Sequence, residues 1–229
     1  VCPDLATVTK TCPICRRRRA KRFCPGLPGS RWAGKGDSIC APCCGSAREV
    51  TIDCPSDCPY LISARRYEAE HKKPPKKLAY PEVELEQEFL AAQEKFIGGL
   101  GVLICRFAQE WPKLTDPEVL AALEALTQAY HTLASGLYYE KPPDGFHARQ
   151  LYQALQGYIG QYQKEQQQRT GLSVLRPGDI LKALVFLLRL GQMHSNGRPL
   201  SRAYLDFLRA QLPPQALAKP ESRIILPGS

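Results

Sequence analysis

Eight cysteines crowd into residues 12–58, as a Cys12-Pro13-Ile14-Cys15 doublet, a lone Cys24, a Cys40-Ala41-Pro42-Cys43-Cys44 cluster and a Cys54/Cys58 pair. The same stretch is rich in Gly and Pro and poor in long apolar runs, so it cannot assemble an ordinary hydrophobic core. A unit this small needs a cross-link, and near-neighbour thiol pairs suit a metal ion better than disulfides, which more often join distant segments. Eight thiols are enough for two zinc ions with four sulfurs each. All-sulfur tetrahedral sites are closed to water, which makes the expected zinc structural rather than catalytic. The compact cysteine runs of ferredoxin-like clusters are missing, which disfavours iron–sulfur.

The spacing suggests how the thiols divide. Cys12-Pro13-Ile14-Cys15 has the form of a knuckle whose tight turn aims backbone amides at its sulfurs. Cys40, Cys43 and Cys44 fall on one face of a helical turn, yet adjacent residues cannot comfortably serve one ion. Cys54 and Cys58, four apart, suit the first turn of a helix. The simplest partition gives one site Cys12, Cys15, Cys40 and Cys43, and the other Cys24, Cys44, Cys54 and Cys58; exchanging Cys43 with Cys44 is the alternative. Cys105, inside an apolar helical stretch, reads as a core residue, and Cys2 as a free thiol near the start of the chain.

This layout resembles interleaved two-zinc modules such as HIT-type and other treble-clef-like fingers. It differs from the HIT type in having no His ligand, a single Cys24 where a pair is expected, and the Cys43-Cys44 doublet. The string ICAPCCGSAREVTIDCPSDCPYL, from Ile39 to Leu61, is similar to that of uncharacterised bacterial Cys-rich proteins with a CPxC…CxxCCG…CPxDCxYL pattern. No activity comes with that resemblance; fingers of this kind imply binding and scaffolding of protein or nucleic acid.

Charge is spread unevenly. Residues 1–80 hold 16 Lys+Arg against 7 Asp+Glu, whereas residues 81–229 hold 15 of each. Four thiolates on a divalent ion form a unit of charge −2, so two such sites lower the N-terminal excess but leave it basic. Arg16, Arg17, Arg18 and Arg19, with Lys21 and Arg22, follow directly on the knuckle; Arg65 and Arg66 extend the basic surface, and Phe23, Trp32 and Tyr60 offer stacking faces. Arginine forks match phosphate oxygens, so this is the candidate nucleic-acid surface; an acidic protein is the other partner such a surface accepts. A G-x4-G-K match over residues 29–35 lacks the following Ser/Thr and any strand–helix context, and reads as a chance match. His71, His131, His147 and His194 lie far apart with no ligand spacing.

The fold class expected is mainly α. Residues 1–70 form the finger, closing on a short helix that opens at Pro59; residues 71–80 are a basic, Pro-containing linker; residues 81–212 form an all-α bundle of about five helices; residues 213–229 are a tail with an apolar Ile224-Ile225-Leu226 run. A stripe of Leu85, Phe89, Ala92, Phe96, Leu100, Leu103 and Phe107 marks the first bundle helix, with a bend or close crossing at Gly98, Gly99 and Gly101. Thr115-Asp116-Pro117-Glu118 is a capping box for the second. A third starts near Asp144, a fourth at Pro177-Gly178-Asp179, and a fifth spans residues 199–212. No apolar stretch reaches the ~18–20 residues of a membrane span. No secretory pattern opens the sequence, so the expected location is cytoplasmic. These features describe a non-enzymatic intracellular binding protein whose finger contacts nucleic acid while the helices scaffold it. The competing reading is an adaptor whose finger and tail both bind proteins.

Overall fold

The structure, a computed structural model, describes residues 11–27, 37–72, 75, 77–137, 139–170 and 175–218. Cys2, Trp32, the G-x4-G-K stretch and the apolar run of the tail lie outside the described residues, as do Lys73, Pro74 and Lys76 of the linker.

The N-terminal unit begins with a tight hairpin in which Thr11 bridges Arg19. Strands β1 (Arg22–Cys24) and β2 (Asp37–Ile39) then pair antiparallel, with Phe23 opposite Ser38. Helices α1 (Ala41–Ala47) and α2 (Pro59–His71) follow. Each helix starts on a cysteine N-cap, Cys40 and Cys58, with proline in its first turn, where the N–H that proline lacks would have had no partner. Apart from cysteines, the buried apolar cluster of this unit consists of Ile39, Ile52 and Leu61. Burying such a side chain stabilises by roughly 1.5–3 kcal/mol, whereas ordering each backbone residue costs about 1–2 kcal/mol. Three aliphatic side chains cannot hold this many residues, so the thiols must contribute through something other than packing.

The remainder is helical: α3 (Gln87–Ala92), α4 (Glu94–Glu110), α5 (Asp116–Ala134), α6 (Phe146–Thr170), α7 (Pro177–His194), α8 (Ala203–Gln211) and α9 (Pro214–Leu217). Five of these, α4 to α8, have nine residues or more. The core is built from Phe96, Leu100 and Ile104 of α4, Leu123 and Leu126 of α5, Leu151, Leu155 and Ile159 of α6, Ile180, Leu184 and Leu187 of α7, and Tyr204, Leu205 and Leu208 of α8. α5 packs chiefly on α7 and α6. The far turns of α6 beyond Gln161 are mostly exposed, in keeping with their polar composition. Among the described residues no helix is long and apolar enough to cross a membrane.

Of the bend or close crossing expected near Gly98–Gly101, the crossing is what forms. The helix breaks at Gln93 and then runs unbroken through the glycines, which serve the crossing instead: a Cβ on Gly99 would sit 1.8 Å from the Tyr158 hydroxyl of α6. At the capping box Thr115 donates its backbone N–H to Glu118 Oε2 at 2.9 Å. Asp116 is fully buried and caps a second helix: it accepts from Ser201 Oγ at 2.7 Å and from the amides of Tyr204 (3.0 Å) and Leu205 (3.2 Å) at the start of α8. That helix begins at Ala203 rather than 199, because residues 196–202 run as a loop against the N-terminal unit.

The segment expected as a linker is fastened to α7. Lys72 Nζ donates to the carbonyls of Met193 (2.7 Å) and Ser195 (2.5 Å), a cation on the C-terminal end of a helix dipole. Arg189 Nε donates to Ala79 O at 2.9 Å, and its Nη2 to the carbonyls of Tyr80 and, at 2.8 Å, Val83.

Candidate metal centre

The knuckle, β2 and α1 bring four of the predicted ligands together. Cys12 donates its amide to Arg18 O and accepts from Arg16 N–H on its carbonyl, both at 2.8 Å, which folds residues 12–18 into a loop around the first doublet. Arg16 takes a left-handed φ of 52° to close it. Cys40 follows β2 directly and caps α1, so Cys43 lies one turn above it. The Sγ atoms of Cys12, Cys15, Cys40 and Cys43 all lie within 4.8 Å of one another. A tetrahedral ion with Zn–S bonds of ~2.3 Å requires sulfurs about 3.8 Å apart, and Cys15 Sγ lies 3.8 Å from Cys40 Sγ. The donor set and its spacing fit one four-sulfur metal ion, in the first partition rather than the exchanged one.

The surroundings favour thiolates unequally. The amides of Arg17 and Arg18 point at Cys15 Sγ and lower its pKa to about 6. Burial pushes Cys12 up, but the amides of Cys15, Cys40 and Ile14 outweigh it and bring it down. Cys43 is pushed up to about 12, first by its hydrogen bond with Cys40 and then by burial. A divalent cation at the centre supplies the opposite charge this crowd needs.

Cys24, Cys44, Cys54 and Cys58 are all buried in the same cluster. Burial raises Cys24, with Cys44 and Cys58 adding to the effect, and raises Cys54 to about 11, with Cys24 and Cys58 adding. Their sulfurs therefore feel one another, although among the described residues Cys12, Cys15, Cys40 and Cys43 are the one set of three or more ligand atoms within 4.8 Å. Successive residues of α1 point about 100° apart, which sends Cys44 away from Cys43 and towards this second set. The loop after β1 also approaches closely: a Cβ on Gly26 would stand 2.2 Å from Asp53 O, so only glycine lets the loop after Cys24 come this near the segment that carries Cys54.

The basic residues separate into two groups. Arg16, Arg17, Arg18, Arg19 and Lys21 are exposed. Arg22 is half-buried, its guanidinium 4.7 Å from the Tyr60 ring centroid, which ties β1 to the start of α2. Arg66 is exposed on α2. Arg65 is committed elsewhere: its Nη2 meets Glu49 Oε1 and its Nη1 meets Asp206 Oδ2, each at 2.6 Å. Burial works against its charge, but Asp206 and Glu49 more than compensate and raise its pKa. It is a structural cation, with no free fork for a phosphate.

Sequence reasoning missed the residues that lock the two units together. Glu49 is 1% exposed, has a left-handed φ of 54°, and is also held by Asn196 Nδ2 at 2.7 Å and, through its carbonyl, by the Leu200 amide at 2.9 Å. Glu68 takes Arg48 (3.3 Å) and Arg198 (3.0 Å), and Arg202 reaches Asp53 at 2.5 Å. Glu49 has one basic neighbour, Arg48, and Asp53 four residues on, so the local sequence carries no signal of this role. Between α2 and the α7–α8 junction a cavity of about 390 Å³ is lined by Arg65, Glu68, Lys72 and Asn196 among others, and all four of these are already bonded within the chain.

Comparison of the chain with protein-family models, with curated proteins and with solved structures gave no match.

Proposed function

We propose that the chain is a zinc-dependent, non-enzymatic intracellular binding protein whose treble-clef-like finger contacts nucleic acid through the loop of Arg16 to Arg19, with the helical unit as scaffold. The observation that carries this reading is the coupling of loop to metal ligand: Cys12 donates its amide to Arg18 O and accepts from Arg16 N–H on its carbonyl, so the turn that holds Cys12 and Cys15 also holds the backbone of the arginines, whose side chains are exposed. A held loop loses less entropy on binding than a free one. Two zinc ions are assigned, the second to Cys24, Cys44, Cys54 and Cys58, whose burial in one cluster supports it. A closed four-sulfur centre offers no position to a substrate, which favours a structural role. Thiols that serve as metal ligands suit a reducing compartment, which is the ground for placing the protein in the cytoplasm.

Elemental analysis of protein purified without chelator is expected to give two zinc per chain. Replacing Arg16 to Arg19 with serine is expected to keep that zinc and to reduce the slope of log affinity against log salt for RNA or DNA by roughly 1.4–3.6 units, for about 2–4 phosphates at 0.7–0.9 each. Protein that binds neither RNA nor DNA at ~50 mM salt, where electrostatic binding is strong, would sink the nucleic-acid reading in favour of a protein adaptor.

A further inference from the structure

From Arg19 to Cys24 the chain is extended and its side chains alternate. Arg19, Lys21 and Phe23 are exposed on one face; Ala20 and Arg22 are half-buried and Cys24 buried on the other. Lys21 continues the ladder by donating its amide to Ile39 O at 3.0 Å. Phe23 is 56% exposed, and its cross-strand neighbour is the small Ser38, which cannot cover the ring. Two cations and an aromatic ring thus stand in a row at about 7 Å intervals, continuous with the arginine loop. Phe23 is absent from the buried cluster and more than half of it is open to solvent, which leaves ring surface for a ligand.

Duplex reading requires a helix or a two-stranded ribbon that enters a groove about 12 Å wide. α1, seven residues long, has no basic side chain, and of the two arginines of α2 Arg65 is locked between Glu49 and Asp206, which leaves Arg66 alone on that helix. The β1–β2 ribbon has three residues per strand, roughly 10 Å of length. A flat strand face with cations beside an aromatic ring instead matches unpaired bases, which stack on the ring while the backbone tracks the charge.

Resting on the nucleic-acid reading, we infer that the ligand of this surface is single-stranded nucleic acid, with Phe23 as the base-stacking platform and Arg19 and Lys21 as its flanking phosphate contacts. The test is anisotropy titration of a labelled single strand and of the duplex formed with its complement, using the full chain and the variants F23A and F23W. The single strand is expected to bind at least about tenfold tighter than the duplex. F23A is expected to lose about tenfold for the strand, within the range measured for stacked bases, with salt slope and zinc content unchanged, and F23W to retain binding. Should F23A not fold, F23L, apolar but without a π face, makes the same comparison. Equal affinity for strand and duplex, or an F23A variant that binds as the parent does, overturns the inference while leaving the basic-loop reading in place. Displacement of the strand by polyglutamate at equal charge assigns the face to an acidic protein and overturns it too. Binding to neither nucleic acid removes the reading on which it rests.

Discussion

Glu49 and Arg65 show how a residue's meaning can depend on chain that is far away in sequence. Arg65 sits in a basic stretch, Arg65-Arg66, and by spacing alone belongs with Arg16 to Arg19. Its partners are Glu49, sixteen residues back, and Asp206, 141 residues on; only the second reveals why a helix of the finger is fixed to the bundle, and no local pattern encodes it. The cysteines were legible because metal ligation imposes spacing, whereas an ion pair imposes none. Glu49 is buried with Arg65 as its counter-charge, so truncating it leaves a guanidinium with half its compensation. Glu49→Ala is expected to lower unfolding stability by about 3 kcal/mol, and Glu49→Gln, which keeps the bond to Asn196, by less; breaking buried pairs costs in this range. Urea denaturation of the metal-loaded variants measures both. Equal stability of all three proteins would mean that the pair contributes nothing.

At the scale of elements, periodicity located the helices well and their ends less well. The capping box at Thr115 and the proline starts at Pro59 and Pro177 stand where the sequence puts them, since a cap is a local chemical requirement. The break at Gln93 and the late start of α8 were not legible. The second depends on Leu200 donating to Glu49 O and on Asp116 capping Tyr204 and Leu205. All of these join elements that are distant in sequence. Helix α1 holds the sharpest element-scale consequence. Because Cys43 faces the first sulfur set and Cys44, one residue on, turns away, the two substitutions should not be equivalent. Cys43→Ser is expected to lose the ion of the Cys12/Cys15/Cys40 set, and Cys44→Ser to spare it. Native mass spectrometry counts the ions, each variant retaining one. Loss of both ions from either variant would mean that the two sets fold as one centre.

Over the molecule as a whole, the described residues form two apolar clusters, one of cysteines with Ile39, Ile52 and Leu61, the other spread over α4 to α8. What joins them is polar: Arg65 to Asp206, Arg198 to Glu68, Arg202 to Asp53 and Asn196 to Glu49. The division into a cysteine-held finger and a helical unit was therefore legible from composition, because each part must bury its own apolar surface. The interface was not, because it is made of charges that any surface carries. Metal removal should then release the finger while the helices, with their own core, persist. The sharpest test is the affinity of one protein for a labelled single strand before and after chelation, with far-UV circular dichroism read on the same samples. Affinity is expected to fall at least tenfold without metal, as the arginine loop loses its anchor at Cys15, while most helical signal remains. Unchanged affinity in the metal-free protein would contradict a metal-shaped binding loop, since the arginines would then bind without the centre that is held to position them.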